Sequence, residues 1–511
     1  MRCSWLGVLV LLAGCSRQEA PAFRRVVLPP LENLTGDDTG AVEAQALRLA
    51  IWDGLQGQPR IYASLVGHRR ELADMGPALV VDGYVAKNRF HLRLNDQPVV
   101  CDGPFEECLG RLTGAVGTAL AAEKRAAPKA ATVRAVAKGD DLEPVMKSDP
   151  LFGSGWQAWA AQAQRAGGVT AALAVLERAP VGQMSPYDAA RIRVALAELR
   201  KDKKAHAAAM IALAELSPAD LELQEKAAQE ALAGRNYAGA MGLFERLATL
   251  TRHPRFSNQM AYVAVYSGDR AKAESAAAAA MAAAPNDPSY TDTRGEVAYA
   301  FGDYATAVQF FEAAANVNVT FAGGLDLWKA ADAARRAGDK ARAEALLQRY
   351  LDVRAKGGMR NPLLVQAVWD WHGDAPEAAA EKLRAASQST ERGKALFLLG
   401  LMALNRRDLA AAERVRRELD ANTVESVFLG ALVAVTPLPP GLPFPPEAIR
   451  ALQLYLKDDK AGAGKELASA WAGIHPAGEA QWRKLESLIA GTKPKWQLPP
   501  SPDDWLAVLL R

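Results

Sequence analysis

Residues 261–312 read AYVAVYSGDRAKAESAAAAAMAAAPNDPSYTDTRGEVAYAFGDYATAVQFFE, and the echo inside this stretch decides the fold. Two turns, at Gly268 and Gly302, stand 34 residues apart. Each is followed by a small residue, Ala273 and Ala307, and one helical turn past Ala307 comes the bulky Phe311. A small side chain just past a turn lets the second helix approach the first. Outward from this stretch, helix-to-helix turns recur at Gly167, Lys201, Gly234, Gly268, Gly302, Gly338, Gly373 and Arg407, at intervals of 34, 33, 34, 34, 36, 35 and 34. The small residue returns at Ala172, Ala240, Ala343, Ala378 and Ala412, and the bulky one at Leu176, Phe244 and Leu347. Self-similarity at a fixed period of this length means stacked helix pairs, each burying its apolar face only against its neighbours. The fold class is therefore mainly α, an α-solenoid.

Further positions specify the repeat. Trp156 opens the first unit, Leu396, Leu399, Gly400 and Ala403 form a Leu-x-x-Leu-Gly-x-x-small run, Gly295 holds the same close-contact site, and Pro218 and Pro285 end units. On these residues, 151–425 resembles an array of about eight tetratricopeptide repeats. Departures are Lys201 and Arg407 in place of turn glycines, Gly234 leading its alanine by six residues, and Lys382 and Arg416 where a bulky apolar residue is usual. The resemblance implies a concave wall of first helices. By register, that wall carries Asn258 and Tyr262, then Asp292, Glu296 and Tyr299, then Trp328, Asp332 and Arg335. Aromatics beside charges suit an extended peptide or a partner helix.

The first residues carry an address. Arg2 supplies a positive start and Leu6–Leu12 an apolar segment too short to span a bilayer, followed by Leu12-Ala13-Gly14-Cys15. This resembles a bacterial lipoprotein signal; the alternative is an ordinary secretory signal with a chance cysteine. The resemblance implies a signal peptide over 1–14, lipid on Cys15 and a tether over 15–22. Ser16 after the cysteine implies the outer membrane, where several acyl chains on one residue anchor a protein stably.

Residues 23–125 read as a small α+β domain. Arg25–Leu31 and Arg60–Val66 are strands, Ala78–Ala86 and Arg89–Asn95 a hairpin about Lys87-Asn88, and Ala41–Leu55 and Phe105–Glu123 helices. VVLPPLENLTGDD and LVVDGYV resemble segments of the TolB amino-terminal-like domain, with departures at Pro29 and Leu31. Cys101 and Cys108 are the cysteines left after Cys3 and Cys15. Disulfide, free thiols and half a metal site are all open to them; export favours the disulfide, and no second cysteine pair completes a metal shell. Residues 126–150, with three prolines and weak periodicity, read as a linker.

Residues 426–511 hold VTPLPPGLPFPP (435–446), read as a rigid spacer ahead of PxxP-ligand function, then one more helix pair and helices at Gln481–Ala490 and Asp503–Leu510 to cap the solenoid.

Chemistry is sparse. The six histidines, His68, His91, His206, His253, His372 and His475, show no zinc-protease spacing, and no nucleophile elbow or phosphate loop is present. Asp38-Thr39-Gly40 matches the aspartic-protease triplet, but that chemistry needs two facing copies and this one falls in a polar turn. With 61 basic and 58 acidic residues interspersed, no basic stripe points to nucleic acid. The expectation is a non-enzymatic scaffold without metal or cofactor, lipid-anchored at the outer membrane and facing the periplasm, that binds envelope proteins. The competing expectation is a sensor whose amino-terminal domain takes a small molecule or glycan near Asn33, Asp37 and His91.

Overall fold

The computed structural model describes residues 23–511 except 75–77, 95, 360, 434–443 and 475–477. The signal, Cys15 and the tether, and most of the proline-rich insertion, lie outside the described residues. The chain divides into two compact units, residues 23–200 with 212–223 and residues 201–211 with 224–511.

The first unit is built on six strands: β1 (Arg24–Leu28), β2 (Glu32–Asn33), β3 (Ile61–Leu65), β4 (Leu79–Ala86), β5 (Arg89–Leu94) and β6 (Gln97–Asp102). Their order is β3-β1-β4-β5-β6, with β2 beside β4. β1 lies parallel to β3 and β4, and β4, β5 and β6 form an antiparallel meander. β1 ends at Leu28 because Pro29 and Pro30 carry no ladder donor. Pro98 sits on β6, at the sheet edge where a missing donor is tolerated; a proline next to a short run hides a strand from sequence. Helices α1 (Asp38–Leu55) and α2 (Phe105–Ala119) complete the domain, burying Leu47, Ile51, Leu112 and Val116 with Val26, Val85 and Phe90 of the sheet. Cys101 at the end of β6 and Cys108 in the first turn of α2 are joined, with an S–S distance of 2.18 Å.

Residues 126–150 differ from the expected linker. They contain α3 (Ala130–Lys138) and α4 (Glu143–Ser148). Val133, Leu142 and Met146 are buried in one core with α1, and with Phe152 and Trp156 at the start of α5 (Gly153–Leu176, kinked at Gly168 with φ 73°). Helix α6 (Pro186–Leu199) is clamped to α1: Arg125 donates to the carbonyls of Asp53 (3.0 Å) and Gln56 (3.1 Å) and to Ser185 (3.1 Å), and pairs with Asp188. The first helix pair is thus part of the amino-terminal unit. Lysines and prolines among the few apolar positions hid this.

The boundary between units passes through α7 (Lys203–Leu216) and α8 (Leu221–Ala233). The second unit continues as α9 (Tyr237–Thr251), then the pairs α10 (Pro254–Ser267) with α11 (Arg270–Ala283), α12 (Pro288–Ala300) with α13 (Tyr304–Val317), α14 (Leu325–Arg336) with α15 (Lys340–Lys356), α16 (Leu363–His372) with α17 (Pro376–Ala386), and α18 (Arg392–Asn405) with α19 (Leu409–Glu418). After α20 (Val424–Val433) come a further pair, α21 (Pro446–Leu456) with α22 (Lys460–Ala470), then α23 (Glu479–Ala490) and α24 (Trp505–Leu509).

One local device repeats through the pairs. A residue at positive φ ends the first helix, an Asp or Asn caps the second except at α17, where Ala375 stands in that place, and an alanine five positions past the turn is fully buried. The left-handed residues are Arg235, Gly268, Gly302, Gly338, Asp374, Arg407 and Asp458. Their alanines are Ala240, Ala273, Ala307, Ala343, Ala379, Ala412 and Ala463, each at most 1% exposed. The sequence register is corrected at several positions: the turn residues are Gly168, Arg235 and Asp374 rather than Gly167, Gly234 and Gly373, and the packed alanine is Ala379 rather than Ala378. Asn236, Asp269, Asp303, Asp339, Asp408 and Asp459 each accept from a backbone N–H in the following first turn. Gly295 and Gly400 are required by contact, since a Cβ there would stand 2.5 Å from the Phe311 ring and 2.4 Å from Leu429. Lys382 and Arg416 are met by Asp370 and Glu413, so their charges are not stranded in the core.

Candidate functional site

The eight residues expected on an open wall do sit on first helices, Asn258 and Tyr262 on α10, Asp292, Glu296 and Tyr299 on α12, and Trp328, Asp332 and Arg335 on α14. They are not an open surface. Tyr299, Trp328 and Asp332 are 0% exposed and Asp292 8%; the other four are half-buried.

Charges on neighbouring helices account for part of this. Lys329 of α14 donates to both oxygens of Asp292 (2.9 and 2.7 Å) and to Glu296 (2.6 Å), whose other oxygen accepts from the Tyr262 hydroxyl at 2.7 Å. Burial works against the Lys329 charge, but Glu296 and Asp292 outweigh it and hold the ammonium above its ordinary range. Asp292 is pushed well up, first by burial and then by Glu296 and Asp326. Asp326, 1% exposed, contributes a further acid to the cluster. A turn along the array, Asp332 accepts from Tyr299 (2.5 Å) and Arg336 (2.9 Å) and pairs with Arg335. Burial would raise Asp332, yet Arg336 and Arg335 bring it below the ordinary carboxylate range.

The rest of the wall is covered by the chain's own carboxyl-terminal segment. Helix α23 packs on α22, the last helix of the final pair, whereas α24 packs against α16 and α18 instead of capping the end, and residues 496–504 run along the first helices. Trp496 packs on Tyr266 of α10 with ring centroids 5.3 Å apart. Gln497 donates to the hydroxyl of Tyr304 (2.7 Å), while its backbone N–H reaches the Ala300 carbonyl at the end of α12 (3.4 Å). Trp328 of α14 donates to the Pro500 carbonyl (2.7 Å), Trp371 of α16 to that of Val508 (3.0 Å), and Asn405 of α18 to that of Leu509 (2.9 Å). The track therefore follows the order of the repeats. At its start, Glu479 of α23 is fully buried and accepts from Tyr237 (2.8 Å) and Arg483 (2.9 Å). Lys484, on the same helix, faces Arg336, Asp504 and Asp332; burial, with Arg336, brings it down to about 8. Burial likewise lowers His372 to about 3.

Sequence reasoning missed Tyr266, Trp371, Asn405 and the segment that covers them. One signal was available: Trp496 and the run WLAVLL at 505–510 are strongly apolar yet stand outside the 34-residue repeat, so they needed a surface to cover.

The tail is a fixed part of the unit. Trp496, Leu506, Val508, Leu509 and Leu510 are at most 5% exposed. At about 1.5–3 kcal/mol for each large side chain, their burial amounts to roughly 10 kcal/mol, an upper figure because an unfolded chain is already partly collapsed.

In the first unit, residues expected around a ligand have local tasks. Asn33 accepts from the backbone N–H and hydroxyl of Thr35, Asp37 caps α1 through Gly40 (2.7 Å), and His91 stacks on Tyr84 with centroids 4.8 Å apart.

The fold thus defines a class: a helix-pair solenoid of tetratricopeptide type, preceded by a small α+β domain. No protein-family model matches the sequence, and no curated protein matches it. Solved structures to which parts of the chain are similar include the MamA protein (13% identity, TM-score 0.29, covering 34% of this chain and 93% of that one). Others are YrrB, described as a TPR protein with an unusual peptide-binding site (13%, 0.27, 38% and 92%), and a tetratricopeptide repeat protein from Parabacteroides merdae (13%, 0.30, 60% and 99%). These superpositions are partial, and the fold rests on the helix pairs themselves.

Proposed function

We propose that this chain is a scaffold of the bacterial envelope, anchored through lipid on Cys15 at the outer membrane and facing the periplasm, that recruits other envelope proteins through its helix repeats. One observation carries the recruiting role. The first helices hold another part of the chain by donating from Trp328 to the carbonyl of Pro500 in a non-helical stretch and from Trp371 and Asn405 to carbonyls at the carboxyl end of α24, which supports reading the array as a surface that binds protein backbone. The disulfide at Cys101 and Cys108 accords with an exported protein. The buried acids take no catalytic role in this proposal, since Asp292 and Glu296 are engaged by Lys329 and Asp332 by two arginines. The turn and cap made by Asn33 and Asp37 favour local structural roles for these residues over the sensor alternative.

The test is in-cell crosslinking of the intact protein beside Cys15→Ala, with radiolabelled palmitate incorporation measured in both. Label on the wild type alone, with crosslinks to a few envelope proteins that fade when the anchor is lost, supports the proposal. Absence of label removes the anchor; a crosslinking pattern indistinguishable from that of an unrelated exported protein removes the scaffold.

A further inference from the structure

Because the tail fills the track along α10 to α18, a partner needs another opening. One lies where the track ends, a cavity of about 270 Å³ between α16, α18 and α20. Val365, Leu398, Phe397, Phe428, Phe444 and the tail's own Trp505 line it. Its aromatic wall is ordered: Trp505 stands edge-on to Phe428 at 4.6 Å and to Phe444 at 5.6 Å, and Phe397 tilts against Phe428 at 6.2 Å. Beside it on α20, Val424 is 73% exposed, so the apolar surface continues outside the cavity. Three charges stand at the lining: Lys394, Asp503 and Glu425. Lys394 and Asp503 pair at 3.3 Å and offset each other, which leaves Glu425 and a net negative rim.

We propose that this cavity is a docking pocket for a single aromatic side chain, presented by a partner segment that carries a lysine or arginine next to it. The inference rests on the scaffold proposal and names its contact point. The lining selects the occupant: a cavity of about 270 Å³ has room for one aromatic side chain, and its walls are themselves aromatic. Aromatic walls favour an aromatic guest in edge-to-face geometry, and a basic neighbour answers Glu425. The site also continues an interface already formed, since the tail supplies Trp505 to the same aromatic cluster with Asp503 and Asp504 close by in sequence. A buried aromatic anchor surrounded by a polar rim and further apolar contact is the anatomy of a binding hot spot.

A random dodecapeptide display library selected on the full-length chain tests this, with Val365→Trp, which fills the half-buried lining, and Glu425→Lys in parallel. Helical content and melting are matched first; if Val365→Trp does not fold, Leu398→Trp takes its place. The expected peptides share one aromatic residue flanked by Lys or Arg. A synthetic peptide of that consensus should bind the filled variant at least tenfold more weakly and lose several-fold on Glu425→Lys. The inference is overturned if no peptide is recovered, if recovered peptides lack an aromatic, or if they bind the filled variant as well as the wild type. Envelope proteins that crosslink equally to wild type and filled variant would leave the scaffold standing and remove the pocket.

Discussion

At the scale of single residues, the second unit depends on buried charges that are matched across helices. Lys329 is the sole cation recorded on Asp292 and Glu296 among the described residues. Lys329→Met should therefore destabilise the protein by about 3 kcal/mol, read in urea unfolding, because two buried acids lose their counter-charge. A cost below about 1 kcal/mol would mean that the acids are already neutral. Lys484 behaves in the opposite sense. Its pKa falls from the ordinary 10.5 to about 8 in the fold, so between those values the unfolded chain binds more protons and stability rises with pH. Lys484→Met should gain about 1–3 kcal/mol at pH 7, the order of two pKa units, and flatten stability between pH 8 and 10.5. An unchanged pH profile would show that the ammonium is solvated. The residues named from sequence were legible as first-helix positions because the period fixes register. Their burial was not legible, since Asp292, Glu296, Tyr299 and Asp332 are enclosed by side chains of α10, α12 and α14 and Trp328 is met by a segment more than 150 positions away in the chain.

At the scale of elements, turns and caps carry the repetition. The turn glycines were visible, and so was their replacement by Lys201 and Arg407. The structure explains the tolerance: both lie at positive φ, 56° and 59°, in the same left-handed turn that glycine would favour. Capping is the next contribution. Asp339→Ala, which strips the acceptor from the Arg342 N–H at the start of α15, should cost about 1 kcal/mol in thermal or urea unfolding. The apparent irregularity at Gly234 also disappears here, because the chain turns one residue later and restores the five-residue step to Ala240. In the first unit, β6 and helices α3 and α4 were hidden by prolines and lysines. Only tertiary burial of Val133, Leu142 and Met146 reveals them. Reducing the disulfide between β6 and α2 should lower the stability of the first unit by about 2–3 kcal/mol, the range for a short closed loop, and a dithiothreitol-treated melt compared with the oxidised one reads it.

At the scale of the whole chain, composition and period were enough to recover the class of fold, while the groove's occupancy changes what a partner can meet. An open wall would expose Tyr299 and Trp328; instead Asp332, Tyr304 and Arg336 enclose Tyr299 while the carboxyl-terminal segment meets Trp328, and the opening for a partner moves to the cavity at α16, α18 and α20. The claim on which this depends is that residues 496–511 are held along the first helices. Hydrogen–deuterium exchange of the full chain, resolved to peptides covering 496–511, tests it most directly. Slow exchange over Leu506–Leu510 and at Gln497, comparable to that of α12 and α14, is the expected result. Exchange of that segment within seconds, as in an unstructured tail, would contradict the account and return the first-helix wall to the solvent.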